Sequence, residues 1–237
     1  METTSSGWTV LDENAGILTR EYAFAPKANA RMMIARGADG LVAISPGSNM
    51  PDAAFAELER FGKVTALVAP NGFHHLGLPE WKKAFPAAAV YAPTGAHPRI
   101  QKKQPALGAV APLTDLEKKL GPDVEVVEAV GYKTGETWLL ARGARGPVWY
   151  VSDTFFSMTE LPEAFLPRIA FKWTGSAPGF RAARAVSLFL AKDRPALRAW
   201  VKQRAAASSP AIVLTAHGAV VDEPKLGETM QRLADRL

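Results

Sequence analysis

The 237-residue chain contains no cysteine. That excludes a disulfide framework, a thiolate zinc site, an iron–sulfur cluster and a cysteine nucleophile. It also has no uninterrupted apolar run of about 18 residues, so neither a spanning helix nor a membrane partner is expected. Like charges are not gathered into a block. The 28 Lys and Arg against 23 Asp and Glu leave a net charge of +5, but the cations are scattered, as on a solvated basic surface, and nucleic acid is not an expected partner. Residues 1–7 lack the basic and then apolar run of a signal peptide, and a cytoplasmic location is expected from that.

What is present can build a large core. Hydrophobic residues make up 48% of the chain, and a chain of this length buries roughly 70–75% of its unfolded surface. Residues 8–11, 17–24, 31–36 and 41–45 read as antiparallel strands, the last two joined by the hairpin signal Gly37-Ala38-Asp39-Gly40. Phe55, Leu58 and Phe61 fall at helical spacing in 51–61. Short apolar runs at 64–69, 90–92, 148–151 and 211–215 suit strands buried on both faces. Strands are also expected at 124–130 and 137–141, short helices at 79–85 and 113–120, helical segments divided by prolines over 158–207, and a closing amphipathic helix at 225–237. Two mixed sheets face to face with helices outside would bury all of these strands. The expected class is α/β (α+β), a four-layer αββα sandwich spanning 1–237 as one domain.

Three of the short strands run into polar groups: 64–69 precedes His74 and His75, 148–151 precedes Asp153, and 211–215 precedes His217. Three of the four histidines and one carboxylate thus share one kind of location, outside the carboxyl ends of strands, where ligands collect in layered α/β folds. Imidazole with carboxylate suits Zn, Fe or Mn. Taken singly, each residue has a plainer role as a cap, a turn or a solvated side chain. His97 reads as a loop residue, Tyr132 on its own as packing, and the rows Lys172, Trp173, Arg181, Arg184 and Arg194, Arg198, Lys202 as solvated faces.

At these positions the sequence resembles the metallo-β-lactamase superfamily, whose H-x-H-x-D-H signature ends a buried strand. His74-His75-Leu76-Gly77 is similar to its D-H-x-G, with Pro70 and Gly72 where the two leading histidines stand. Val130-Gly131-Tyr132-Lys133-Thr134-Gly135 resembles the T-P-G-H-T-P-G turn, with Tyr132 in the histidine place. Ser152-Asp153-Thr154-Phe155-Phe156 resembles the segment of the bridging Asp, and Ala216-His217-Gly218 the final G-H-G.

The resemblance implies loss of the first metal site and retention of the second, on His74, His75, Asp153 and His217. One divalent metal is implied, Zn first, with Fe or Mn as alternatives. It further implies a mononuclear metallohydrolase in which water attacks an ester, lactone, amide or phosphodiester. Asp153 would serve catalysis as ligand and partner of that water, and Tyr132 would donate to the developing oxyanion. The net positive site favours an anionic small-molecule substrate, and a homodimer is allowed. The alternative is a non-catalytic descendant of the fold that binds metal or ligand without turnover.

Overall fold

The computed structural model describes residues 1–237. The chain opens with β1 (Glu2–Thr3), β2 (Thr9–Asp12), β3 (Ile17–Ala25), β4 (Ala28–Gly37) and β5 (Gly40–Ile44), an antiparallel meander. The hairpin between β4 and β5 closes as its sequence predicts, with Gly37 opposite Gly40 and the latter at φ +138°. There the sheet changes character. Helix α1 (Asp52–Glu57), strand β6 (Val64–Val68), helix α2 (Leu78–Ala84), strand β7 (Ala89–Ala92), helix α3 (His97–Lys103) and strand β8 (Ala111–Pro112) follow, and β5 to β8 pair in parallel. The result is one eight-stranded sheet in sequence order.

Helix α4 (Leu113–Glu117) leads to β9 (Val124–Glu128), β10 (Thr137–Gly143) and β11 (Gly146–Tyr150), an antiparallel set that forms the second sheet. Next come β12 (Phe155–Met158), α5 (Phe165–Thr174), β13 (Gly179–Ala182), α6 (Arg184–Leu190) and α7 (Arg194–Ala207). Strand β14 (Ile212–Leu214) joins β11 in parallel, and α8 (Leu226–Ala234) closes the order. The expectation of helix throughout 158–207 fails at β13, which pairs with β12 as a separate two-stranded ribbon. Helix α7 starts where its sequence says: Asp193 accepts a hydrogen bond from Ala196 N at 2.9 Å, and Pro195 sits in the first turn.

Alternation along the strands sorts side chains into three layers. In β5, Leu41 and Ala43 face α1 and α2, whereas Val42 and Ile44 face the second sheet. In β10, Leu139 and Ala141 meet them in that middle layer, and Trp138 and Leu140 face α7 and α8. Strands in both sheets are therefore buried on both faces, which is why they read as continuous apolar runs. Each fully buried Leu or Val stabilises by roughly 1.5–3 kcal/mol before entropy is counted. Helices outside two facing mixed sheets make the αββα order that the sequence predicts.

The row Arg194, Arg198, Lys202 does not face open solvent as expected. Both arginines bond the Leu237 carbonyl oxygen, at 2.9 and 2.7 Å, and Lys202 reaches Asp235 at 2.5 Å. Helical spacing gave the shared face, and that face grips the end of α8. No helix is long and apolar enough to cross a membrane.

Candidate metal centre

Four strands of the two sheets deliver the site at their carboxyl ends. After β6 the chain turns through Asn71 and His74; after β11 it enters a 3-10 turn, Ser152–Thr154, that holds Asp153; after β14 it reaches His217. Just beyond β5, Ser45 stands at φ +56° and supports His74 from behind. Rigid strands fix the loop roots, so residues distant in sequence converge.

His74, Asp153 and His217 present donor atoms that all lie within 4.8 Å of one another. They are the one group of three or more His, Asp or Glu in the chain that does so. His74 Nε2 lies 3.1 Å from Asp153 Oδ2, and His217 Nε2 lies 3.5 Å from Asp153 Oδ1. His74 Nδ1 meets Ser45 Oγ at 2.8 Å, which in turn meets the Tyr22 hydroxyl at 3.1 Å.

His217 Nδ1 faces the Asn29 carbonyl oxygen at 2.9 Å. A carbonyl only accepts, so the Nδ1 proton is donated there and Nε2 of the neutral ring carries a bare lone pair. Opposite it, Asp153 Oδ1 is buried without any hydrogen-bond partner. Two acceptors facing each other across 3.5 Å need a positive charge between them. A divalent cation fits that demand, and a histidine anchored by Nδ1–H on a backbone carbonyl is the usual ligand arrangement.

The other carboxylate oxygen is fully occupied. Asn71 Nδ2 donates to Asp153 Oδ2 at 3.0 Å and to Glu136 Oε2 at 2.9 Å, while Asn71 Oδ1 accepts from Phe73 N at 2.8 Å and His74 N at 3.3 Å. Glu136 Oε1 accepts from Asp153 N at 2.8 Å. Burial pushes the Glu136 carboxyl well up, and the neighbouring Asp153 charge adds to it. Burial would raise Asp153 too, but His74, His217 and the Asn71 hydrogen bond outweigh it and hold Asp153 well below the usual carboxylate range. The pair therefore carries one negative charge, on Asp153. Burial lowers His217 against the pull of Asp153, which keeps the ring in its neutral, ligating form.

His75 does not join the group. Its Nδ1 is turned to Gln104 Nε2 at 3.2 Å, and burial, with Arg99 second, lowers its pKa. Adjacent side chains in a loop leave in different directions, and here only His74 points inward. Tyr132 is buried with its hydroxyl 3.5 Å from Thr154 Oγ1, which Trp138 Nε1 also approaches at 3.0 Å. It braces the turn behind Asp153. His97 bonds the Ala92 carbonyl and stays outside the site, but it opens α3 where a loop residue was expected. Asn71 and Glu136 were not singled out from the sequence: a strand-end Asn and a Glu after Thr134-Gly135 give no local signal.

Aromatic rings wall the mouth. Phe24 and Phe156 approach the His217 ring edge to face, with centroids at 5.8 and 5.6 Å, and Phe171 of α5 stacks on Phe156 at 5.1 Å.

No protein-family model matches the chain, and no curated protein matches it by sequence. Solved structures do match in three dimensions. A metallo-β-lactamase from Erythrobacter litoralis, with β-mercaptoethanol in its active site, superposes with a TM-score of 0.62 at 14% identity, over 100% of this chain and 99% of that one. The DIM-1 metallo-β-lactamase gives 0.62 at 13% identity, over 99% of each. A metallo-β-lactamase from Hirschia baltica gives 0.59 at 10% identity, over 96% of each. The chain has the metallo-β-lactamase fold.

Proposed function

We propose that the chain is a metal-dependent hydrolase-like protein with one metal site, held by His74, Asp153 and His217. The reading rests on the two bare acceptors, His217 Nε2 and Asp153 Oδ1, facing each other across 3.5 Å. Two histidines and one carboxylate with open positions suit Zn first, and Fe or Mn as well. A divalent ion bound there supplies Lewis acidity, polarising a carbonyl or phosphoryl oxygen and lowering the pKa of water.

The chain's own groups do the rest. Asp153, pinned through Oδ2, keeps Oδ1 free as ligand and as acceptor for the water that attacks an ester, lactone, amide or phosphodiester. That water's oxygen bonds to the carbonyl carbon or phosphorus, the leaving group departs, and the proton passes to it. Phe24 and Phe156 shield the centre beside His217 from bulk water. One carboxylate against a divalent cation leaves about +1, which favours an anionic small molecule. Tyr132 serves here by bracing the Asp153 turn, and His75 lies outside the ligand set.

A second reading has its own support. The three-residue group is the only one of its kind in the chain, so substrate and water have no second metal centre to hold them. That suits a descendant that binds metal or ligand without turnover.

The test is elemental analysis after incubation with Zn, Fe(II) and Mn. One metal per chain is expected, lost in His74→Ala and His217→Ala and kept in His75→Ala. Wild-type protein that stays metal-free sinks the hydrolase reading and leaves only a descendant that binds a ligand without metal. A metal-loaded protein inert toward chromogenic esters, lactones, amides and phosphodiesters leaves the second.

A further inference from the structure

Helix α5 turns four large apolar side chains to solvent: Phe165, Leu166, Ile169 and Trp173 are 73%, 75%, 51% and 81% exposed. At 100° per residue they occupy one arc roughly 100° wide, with Arg168 and Lys172 along its edge. The opposite face, with Phe171 and Thr174, is the one that packs. No acidic residue lies on the helix. Phe189, 73% exposed on the neighbouring α6, adds to the apolar surface, and its carbonyl is held by Lys133 Nζ at 2.9 Å. Soluble monomers seldom leave such a contiguous set in water.

The second observation is a cavity. Gly175, which ends α5 two residues after Trp173, opens a hollow of about 590 Å³ whose walls include Arg181, Arg232 and Arg236. Arg232 lies on α8 and bonds the Thr229 hydroxyl at 2.8 Å, and Arg236 follows two residues past the helix end. None of the three arginines makes an ion pair, and no carboxylate lines the hollow. The acids nearest in sequence are taken elsewhere: Glu163 by Lys27, Glu228 by Lys225, Asp235 by Lys202. Like charges gathered on one hollow repel, and no carboxylate in its lining offsets them.

We infer that this face docks on an anionic lipid bilayer, the α5 arc entering the acyl boundary and the three arginines taking the headgroup phosphates. The apolar arc supplies the buried area and the flanking cations supply attraction to negative lipid, the two ingredients of a helix that lies in the interface. Arg168 and Lys172 can keep their charged ends at headgroup level while their stems cover apolar surface. The absence of a spanning helix bears on crossing a bilayer and leaves peripheral binding open. The docked face adjoins the metal group through the Phe171–Phe156–His217 stack. Docking holds whatever chemistry that group performs, so the two proposals fail separately.

Sedimentation of the full chain with vesicles tests it, using phosphatidylcholine alone and two parts phosphatidylcholine to one part phosphatidylglycerol. Binding is expected to the mixed vesicles, at least about tenfold weaker to the neutral ones, and weakened by salt. Trp8, Trp81, Trp138 and Trp149 are buried and Trp200 is partly buried against Trp138, so a blue shift of emission on binding that is lost in Trp173→Glu reports Trp173. Trp173→Glu and the double variant Arg232→Glu with Arg236→Glu should each weaken binding by about tenfold or more. Their melting curves should match wild type, because these side chains are exposed. No binding to mixed vesicles, or equal binding to both kinds, overturns the inference. So does a dimer that Trp173→Glu disperses in a protein that ignores vesicles, since a second copy would then cover the arc.

Discussion

Asn71→Ala tests whether the metal group is held by the amide behind it. The wild-type side chain donates to Asp153 Oδ2 and Glu136 Oε2, both buried, and accepts from two backbone N–H groups that water can reach in part. A hydrogen bond to the charged Asp153 is worth about 1.5–3 kcal/mol, and one to a neutral Glu136 about 1. The loss should be about 3 kcal/mol, a large share of the 5–15 kcal/mol that holds an ordinary domain together. In urea that lowers the midpoint by about 1 M or somewhat more. Because Asp153 is then free to turn, metal affinity should fall about 10–100-fold. Asn71→Asp should be worse at neutral pH, since it sets a third carboxyl oxygen against two acceptors. The gap should narrow as pH falls and the new carboxyl gains a proton to donate. A loss below about 1 kcal/mol with unchanged metal affinity would refute the reasoning.

Two further outcomes follow from geometry just behind the ligands. Burial pushes the Tyr22 phenol from 10 up to about 12, against a weaker pull from its Ser45 hydrogen bond. Its stabilising share is whole below pH 10 and drains as pH rises through about 12, a loss of roughly 3 kcal/mol. Denaturant unfolding across that range should show Tyr22→Phe losing less stability than wild type; identical slopes would contradict the burial argument. Gly218, at φ +117°, sits where a Cβ would overlap the Ser157 carbonyl. Gly218→Ala should cost well over 1 kcal/mol and lower metal uptake by displacing His217, and a wild-type melting temperature with full uptake would show the turn to be slack.

The layered architecture was legible because both sheets are covered on both faces, which writes continuous apolar runs such as 64–69 and 211–215 into the sequence. His74, Asp153 and His217 were legible by their place just after such runs. The direction of His75 was not, because rotamer direction in a loop depends on what packs around it, here Gln104 of a distant turn. Asn71 and Glu136 stayed hidden for a related reason. Their partners lie 65 and 82 residues away from Asn71, and nothing local distinguishes a buried amide from a solvated one. The β12–β13 ribbon was missed because β13 is four residues long and lies between helical stretches.

The pairing of β11 with β14 sets an order of events in time. The two strands lie side by side in parallel, yet Val148 meets Ile212 only after α5, α6 and α7 have been laid down between them. A parallel pair separated this far is slow to form, because loop closure must precede any gain from contact. During synthesis from the N-terminus, His74 and Asp153 emerge and can fold long before His217 exists. The nascent chain must carry Asp153 with a single imidazole partner until the last strand docks. Metal capture by the proposed set would thereby be a late step of maturation, one that reports closure of the second sheet.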